Sequence, residues 1–509
     1  MKKIIALISL ALVSSSIYAQ TSDAYTKRYY VNGYDAPASD MVATKNKGFA
    51  VVGNVEYSQN QKVPFILYCD SAGHQIWTRP YGTFNPGFEF NRVIQLPDSS
   101  IVAVGKMFNP MQNNYGTACI RISEAGDVIW TKSISDNSGK EFIARDVIFT
   151  SDSALVIAGG IVNQGSFAFK MDLDGNKIWS KSYVFHTDIT SNFHELFSVK
   201  EKNDSNLVFA GTSDMGSWET RGLFFETNGL GEVIWLKRFQ TKSFITDVVV
   251  TDNSIYLKDQ GMNSELIKTN LSGNLSWAKN YADNGNVSNE YKKLNTLSNG
   301  SFVFTNSAFS FGTAVNVDDN GEVLNQLTII GSPNCMVETV DNRFAFLNNG
   351  PSYGVKILTQ KHFAVTRLDS INPSNSSCAW NSNVTYNSFT HALVVDSLIE
   401  TDNLSVFDAM MEQFSTDLTE EDACIEFLGS IDEIAELSFD LFPNPTQNKL
   451  QISLELDNPN VNYQLLNQLG AVISEGKIMF SETEIDVKDL KQGIYFFKIA
   501  GTTKRFIKE

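Results

Sequence analysis

Between residues 25 and 370 the apolar residues fall in short runs divided by Gly, Asn, Asp and Ser. The most apolar runs are Phe49-Ala-Val-Val-Gly53, Ile101-Val-Ala-Val-Gly105, Leu155-Val-Ile-Ala-Gly159 and Leu207-Val-Phe-Ala-Gly211, and each closes on Gly. Short β-rich runs bounded by turn residues predict strands. A less apolar run precedes each of these, such as Thr246-Asp-Val-Val-Val250, and a third follows, such as Phe167-Ala-Phe-Lys-Met171. A fourth run opens on a turn glycine and carries a tryptophan four residues later: Gly73 to Trp77, Gly126 to Trp130, Gly175 to Trp179, Gly231 to Trp235 and Gly273 to Trp277, with a worn copy from Gly321 to Asn325. The ends of these motifs, at 77, 130, 179, 235, 277 and 325, lie 53, 49, 56, 42 and 48 residues apart. A period near 50 made of four strands predicts a propeller.

Seven second strands can be counted, near residues 51, 103, 157, 208, 255, 303 and 345. The seventh unit has no clear fourth strand after it. Tyr25-Thr-Lys-Arg-Tyr-Tyr30 matches the fourth-strand pattern, so residues 20–371 are expected to form a seven-bladed ring closed by an N-terminal strand. Closure would remove open sheet edges. A competing register takes Trp380 as the last outer strand. The recurring tryptophans are expected to pack between units, because one ligand does not contact five equivalent places.

The motif resembles the tryptophan-docking repeat of quinoprotein-type propellers, with Met171-Asp-Leu-Asp-Gly-Asn-Lys-Ile-Trp179 the nearest copy. The resemblance covers residues 25–370 and implies the fold. It does not carry over the cofactor, and no cofactor is expected.

Composition narrows the setting. The chain has 509 residues, 12% aromatics and a formal net charge of -17. Its length allows more than one core. Its acidity argues against nucleic-acid binding, which needs a basic footprint. Residues 1–19 have a basic start at Lys2 and Lys3, then an apolar run and Ala19, the pattern of a secretory signal peptide. No later run is long and apolar enough to be a transmembrane segment. Cysteines in an exported chain can form disulfides. Cys69 and Cys119 fall in predicted strands and are expected as buried thiols, and Cys335 is left over. Cys378 and Cys424 flank residues 372–428, which lack the repeat and are expected to pack on the last blade as an accessory segment stapled by that pair.

From residue 437 a new unit of alternating short strands predicts a small β-sandwich. Its landmarks are Phe442-Pro443-Asn444-Pro445, a strand ending at Gly470, Gly493 with Tyr495, and a basic-apolar ending. In this order and at this place they resemble the type A C-terminal sorting domain of the type IX secretion system of Bacteroidetes, over residues 437–509. The resemblance implies Sec export, then outer-membrane translocation by the type IX machinery, with the passenger released or held at the surface. The fold class is thus all-β: a seven-bladed β-propeller followed by a small C-terminal β-sandwich.

Catalytic and metal motifs are not found. His186 and His194 are eight apart across a predicted loop, a weak case for a zinc pair. Asp172-Leu-Asp-Gly-Asn176 and Asp318-Asp-Asn-Gly321 fall where every repeat turns, so turn chemistry explains them. Tyr115 and Trp218 lie in long loops outside the repeat and are the residues expected to meet a ligand. The reading is a monomeric, non-catalytic module binding an extracellular glycan or protein. The alternative is a hydrolase or lyase with carboxylates converging at the ring's central mouth.

Overall fold

The computed structural model describes residues 24–31, 34–58, 61–82, 88–109, 114–135, 139–185, 194–214, 220–260, 265–282, 293–308, 311–350, 362–369, 379–381, 385–389, 393–395, 398–401, 405–408, 419–422, 439–454, 461–467, 472–499 and 502–509. Residues 1–19, the expected signal peptide, lie outside them. The chain divides into two compact units, Met1–Cys424 and Ile425–Glu509.

The first unit is a β-propeller built of antiparallel four-stranded meanders, seven of them among the described residues. The first runs through Ala38–Ala43, Phe49–Ser58, Gln61–Cys69 and Gln75–Pro80. Five more follow in chain order, with outer strands Val128–Ser135, Lys177–Phe185, Val233–Phe239, Leu275–Ala282 and Val323–Ile330. The seventh holds Ser332–Glu338, Phe344–Gly350 and His362–Leu368, and its outer strand is Tyr25–Tyr30, in register from Tyr25↔Arg367 to Tyr29↔Phe363. Each successive pair of meanders shares a buried apolar cluster. The first and seventh share one too, in which Phe65 and Leu67 meet Tyr29, Leu347 and Phe363. Burial between sheets, rather than within one, therefore holds the ring.

The second strands run on past the glycines expected to close them, and those glycines have a steric cause. Opposite each, the inner strand bulges, between Ala38 and Asp40, Phe90 and Arg92, Ala144 and Asp146, and Leu196 and Ser198. The bulge presses backbone toward the neighbour, so a Cβ on Gly105, Gly159 or Gly211 would fall 1.9, 2.0 or 2.1 Å from an inner-strand carbonyl oxygen, and one on Gly53 2.5 Å from that of Pro37, just before the inner strand. Only glycine permits that approach.

Residues 372–428 are not confined to the last meander. Their strands add to outer edges in retrograde order. Ala379–Asn381 pairs with the sixth meander, Thr385–Phe389 with the fifth, Leu393–Val395 with the fourth, Leu398–Thr401 with the third and Ser405–Asp408 with the second. Thr419–Asp422 then pairs with Tyr25–Tyr30 of the seventh. The result is a belt of short fifth strands. Outer strands offer unpaired backbone groups, and on six of the seven meanders strands from the same chain satisfy them among the described residues. Trp380 belongs to this belt, opposite Thr328.

The second unit holds two antiparallel sheets. One has Phe439–Phe442, Lys449–Leu454 and Glu482–Asp486; the other has Val472–Ile478, Val461–Asn467, Gly493–Ile499 and Thr502–Lys508. Phe439, Leu450, Ile452, Leu465, Ile478, Phe497 and Phe506 form their common core. Among the described residues no helix is long and apolar enough to cross a membrane.

Candidate functional site

Two sets of polar groups recur around the ring, one at the rim and one near its axis. At the rim, the motif glycine turns at positive φ, for example 80° at Gly231, 73° at Gly273 and 74° at Gly321. A Cβ there would meet the preceding meander's tryptophan: Trp179 at 3.0 Å, Trp235 at 2.9 Å and Trp277 at 2.8 Å. The indole N–H donates to the next meander's turn from Trp77 (Glu124 O, 3.2 Å), Trp130 (Leu173 O, 2.8 Å) and Trp179 (Gly229 O, 2.8 Å). A tyrosine four residues further on adds a second clasp. Tyr81, Tyr183 and Tyr281 donate to the motif-glycine carbonyls of Gly126, Gly231 and Gly321 at 2.8–2.9 Å, and Tyr29 does so to Gly73. The tryptophans thus dock meander on meander. The turn aspartates serve the turns: Asp172 Oδ1 accepts from the N–H groups of Asp174 and Asn176, and Asp318 Oδ1 from those of Asn320 and Glu322.

Near the axis the inner strands bring different residues to one level. Equivalent register places hold Asp40, Arg92, Asp146, Ser198, Asp247 and Cys335, with Lys293 just before the sixth inner strand. The carboxylates fall on the first, third and fifth meanders, and each reaches forward to cap the next inner strand. Asp40 Oδ2 accepts from Val93 N–H (3.0 Å), Asp146 Oδ2 from Val199 N–H (2.9 Å) and Asp247 Oδ2 from Leu294 N–H (2.9 Å). Cations lie between them. Arg92 donates to Asp146 at 2.8 Å and lies 3.9 Å from Asp40. Lys200 sits 3.4 Å from Asp146 and 3.9 Å from Asp247. Lys293 pairs with Asp40, and the Ser198 hydroxyl lies within hydrogen-bond reach of both Asp146 and Asp247.

The protonation chemistry follows from these contacts. Burial pushes the Asp40 carboxyl up to about 6, with the Arg92 charge offsetting only part of the rise. Burial acts on Asp146 too, but Arg92, Lys200 and the Val199 N–H outweigh it and hold this carboxyl below its usual range. Burial keeps the Cys335 thiol neutral by pushing it well up. The three carboxylates are at most 3% exposed, and each is engaged by backbone and cation. They converge as the catalytic alternative requires, but as a sealed network. What the arrangement does is cap strands and hold seven inner edges in register. Sequence reading missed this network, since no two neighbouring meanders repeat the same residue.

Above it, Arg145 pairs with the buried Glu195 of the next meander, and Lys106 lies 3.1 Å from Glu141. Tyr115 is not in a free loop. It faces Phe108 across a hairpin, ring centroids 5.4 Å apart, with the Lys106 ammonium 5.5 Å from its ring. Trp218 lies outside the described residues, as do Cys378, Cys424, His186 and Gly470. Cys69, Cys119 and Cys335 are buried thiols.

In the second unit three of the predicted motif residues, Asn444, Gly493 and Tyr495, meet the last strand. The Phe442-Pro443 and Asn444-Pro445 peptides are cis. Asn444 donates from Nδ2 to Arg505 O (3.1 Å) and accepts at Oδ1 from Ile507 N–H (2.9 Å). Gly493 pairs with Lys508, and Tyr495 stacks on Phe506 at 5.7 Å while its hydroxyl donates to Lys491 O at 2.8 Å. A cleft of about 470 Å³ is lined by Pro443, Pro445, Lys449, Glu484 and Glu509 among others.

Residues 440–509 match the family described as secretion system C-terminal sorting domain. No curated protein matches the chain. Among solved structures, a protein of unknown function from Bacteroides caccae is 10% identical, covering 55% of this chain and 93% of its own, with a TM-score of 0.35. The Dos1 propeller is 9% identical over 65% of this chain and 78% of its own (TM-score 0.36). PorZ, a surface component of the type IX secretion system of Porphyromonas gingivalis, is 10% identical over 95% of this chain and 100% of its own (TM-score 0.24). These scores add nothing to the strand pairings above. The sorting domain implies contact with secretion machinery and delivery to the cell surface or beyond. The chain is a β-propeller that ends, over residues 440–509, in a secretion system C-terminal sorting domain.

Proposed function

We propose that the chain is a seven-bladed propeller, exported by Sec and then by the type IX system, that works outside the cell as a non-catalytic module binding a glycan or a protein. The observation that carries the non-catalytic reading is the sealed axis. Asp40, Asp146 and Asp247, the carboxylates that converge there, are already engaged as strand caps and ion partners. Binding falls to the variable loops, with Trp218 as the aromatic most suited to a sugar or a partner's apolar surface. Tyr115, already packed on Phe108, is the lesser contact. The belt gives the Cys378–Cys424 bridge a further role. It begins at Ala379 on the sixth meander and ends at Asp422 on the seventh, so a bridge between its ends would close a covalent hoop around the ring.

One secretion experiment tests this reading. The full chain, expressed in a bacterium with a type IX system, is expected in the medium or at the surface, and a chain lacking residues 437–509 in the periplasm. Secretion of the shortened chain would end the sorting assignment. Non-reducing peptide maps of the secreted protein are expected to join Cys378 to Cys424. Glycan-array and pull-down screens are expected to give specific binding that Trp218→Ala loses; polysaccharide cleavage would favour the enzyme instead.

A further inference from the structure

The four-stranded sheet of the sorting unit turns one face to the core and keeps apolar side chains on the other. Leu465, Ile478, Phe497, Ile499 and Phe506 lie in the core. Alternation along a strand sends their neighbours to the opposite face. There Val472 stands opposite Leu466, Leu466 opposite Phe496, and Ile494 opposite Ile507. Residues in register share a face, so these five form one apolar patch. Val472, Ile494 and Ile507 are 49%, 40% and 37% exposed, and Leu466 and Phe496 are half-buried. Charge borders the patch. Arg505 is in register with Phe496, Lys498 and Glu475 with Gln464, and Lys477 with Asn462. Among the described residues Lys477, Lys498 and Arg505 make no ion pair, whereas Lys449 and Lys488 elsewhere in the unit pair with Glu484 and Asp486. Three cations against one carboxylate make this face basic, on a chain whose formal net charge is -17. The basic-apolar ending thereby finds a use: Phe506 turns into the core, while Arg505 and Ile507 turn out.

We propose that this sheet face is where the sorting unit docks on its export machinery, and that the partner there is a protein surface with an apolar centre bordered by carboxylates. The proposal rests on the sorting reading above. A contiguous exposed apolar patch rimmed by polar groups marks an interaction site. The cations on this face set the sign of the partner, since complementary charge selects between partners and penalises the wrong one. A second copy does not fit, because two such faces would bring like charges together. Glu475, set among the cations, favours a patterned protein surface over the uniform charge of an anionic lipid layer.

The test uses the full chain, expressed in a bacterium with a type IX system. Lys498→Glu with Arg505→Glu reverses two cations, and Ile494→Ser with Ile507→Ser removes apolar contact. All four side chains lie on the face away from the core, so the melting temperature should stay at the parent's. Each pair is expected to cut the exported fraction about tenfold. Lys498→Arg with Arg505→Lys keeps the charge and should be exported normally. So should Lys449→Glu with Lys488→Glu, the same change of charge away from this face. The chain lacking residues 437–509 serves as reference, and its export would end the sorting reading itself. If that chain is retained while either pair is exported as the parent is, the sorting reading stands and the docking face is overturned. An equal loss in the Lys449 and Lys488 control overturns it too, since net charge alone would then explain the effect. Phosphatidylglycerol vesicles that bind the parent but not K498E/R505E would assign the face to lipid and overturn the protein partner.

Discussion

Rim and axis do the same job with opposite sequence habits. At the rim, the contacts between meanders reuse the same residues: in five of the seven a tryptophan set against the next meander's glycine turn, and in four a tyrosine clasping the glycine carbonyl. At the axis, equivalent places read Asp, Arg, Asp, Ser, Asp, Lys and Cys. The difference follows from geometry. At the rim a residue meets a different residue type on its neighbour, so one pattern can be copied around the ring. At the axis equivalent residues approach one another. A copied charge would there meet its like at low dielectric, so neighbours must complement rather than repeat.

That contrast explains what could be read from the sequence. The rim motif, repeated at near-constant spacing, exposed the propeller, and Tyr25–Tyr30 showed itself because it shares the outer-strand pattern. Asp40, Arg92, Asp146 and Asp247 were invisible as a set. Each lies beside an inner-strand bulge in a different local sequence, and only closure brings them together. The belt was missed for another reason. Its strands hold three to five residues, too few for a period-2 pattern, and their partners lie far away in the chain. Tyr115 reads as a loop residue in the sequence because a strand end beside a hairpin turn and a loop look alike without the cross-strand partner, here Phe108.

The largest expected effect comes from unbalancing the axis. Asp146→Asn takes the charge from a carboxylate that meets Arg92, Lys200, Ser198 and the Val199 N–H. Leaving a buried cation without its partner costs about 3–5 kcal/mol. Denaturant unfolding should show a loss of that order. A loss no larger than that of a rim variant would remove the distinction between the two regions.

A pH series sharpens the comparison within the axis. The Asp40 carboxyl, at about 6 in the folded state against 3.8 as its ordinary value, binds its proton more tightly when folded. Its contribution to stability is therefore greatest in acid and is lost as pH rises from about 4 to about 6. The difference of about 2 units corresponds to about 3 kcal/mol. Asp146, held low, works the other way: its contribution is present above the ordinary range and lost as pH falls. Asp40→Asn keeps an acceptor for Val93 N–H and cannot titrate. The melting temperature of this variant should decline less than the parent's between about pH 4 and 6, and parallel profiles would refute the assignment.

The smallest effect separates the regions most cleanly. Tyr183→Phe removes one hydroxyl, donated to Gly231 O at 2.9 Å, and keeps the ring packed against Phe209 and Phe225. The loss should be about 1 kcal/mol, an ordinary hydrogen bond. Tyr81→Phe and Tyr281→Phe should each cost the same, because each hydroxyl meets the equivalent carbonyl of its own neighbour, Gly126 or Gly321. These sites lie on different meanders and share no partner, so the triple variant should lose the sum of the three. Axis variants should not add. Asp146 and Arg92 are partners, so once one is gone, removing the other should cost far less than it does alone. Strong coupling among the three tyrosines would mean that the rim, too, is one network, and that the copied motif is not the independent clasp its repetition implies.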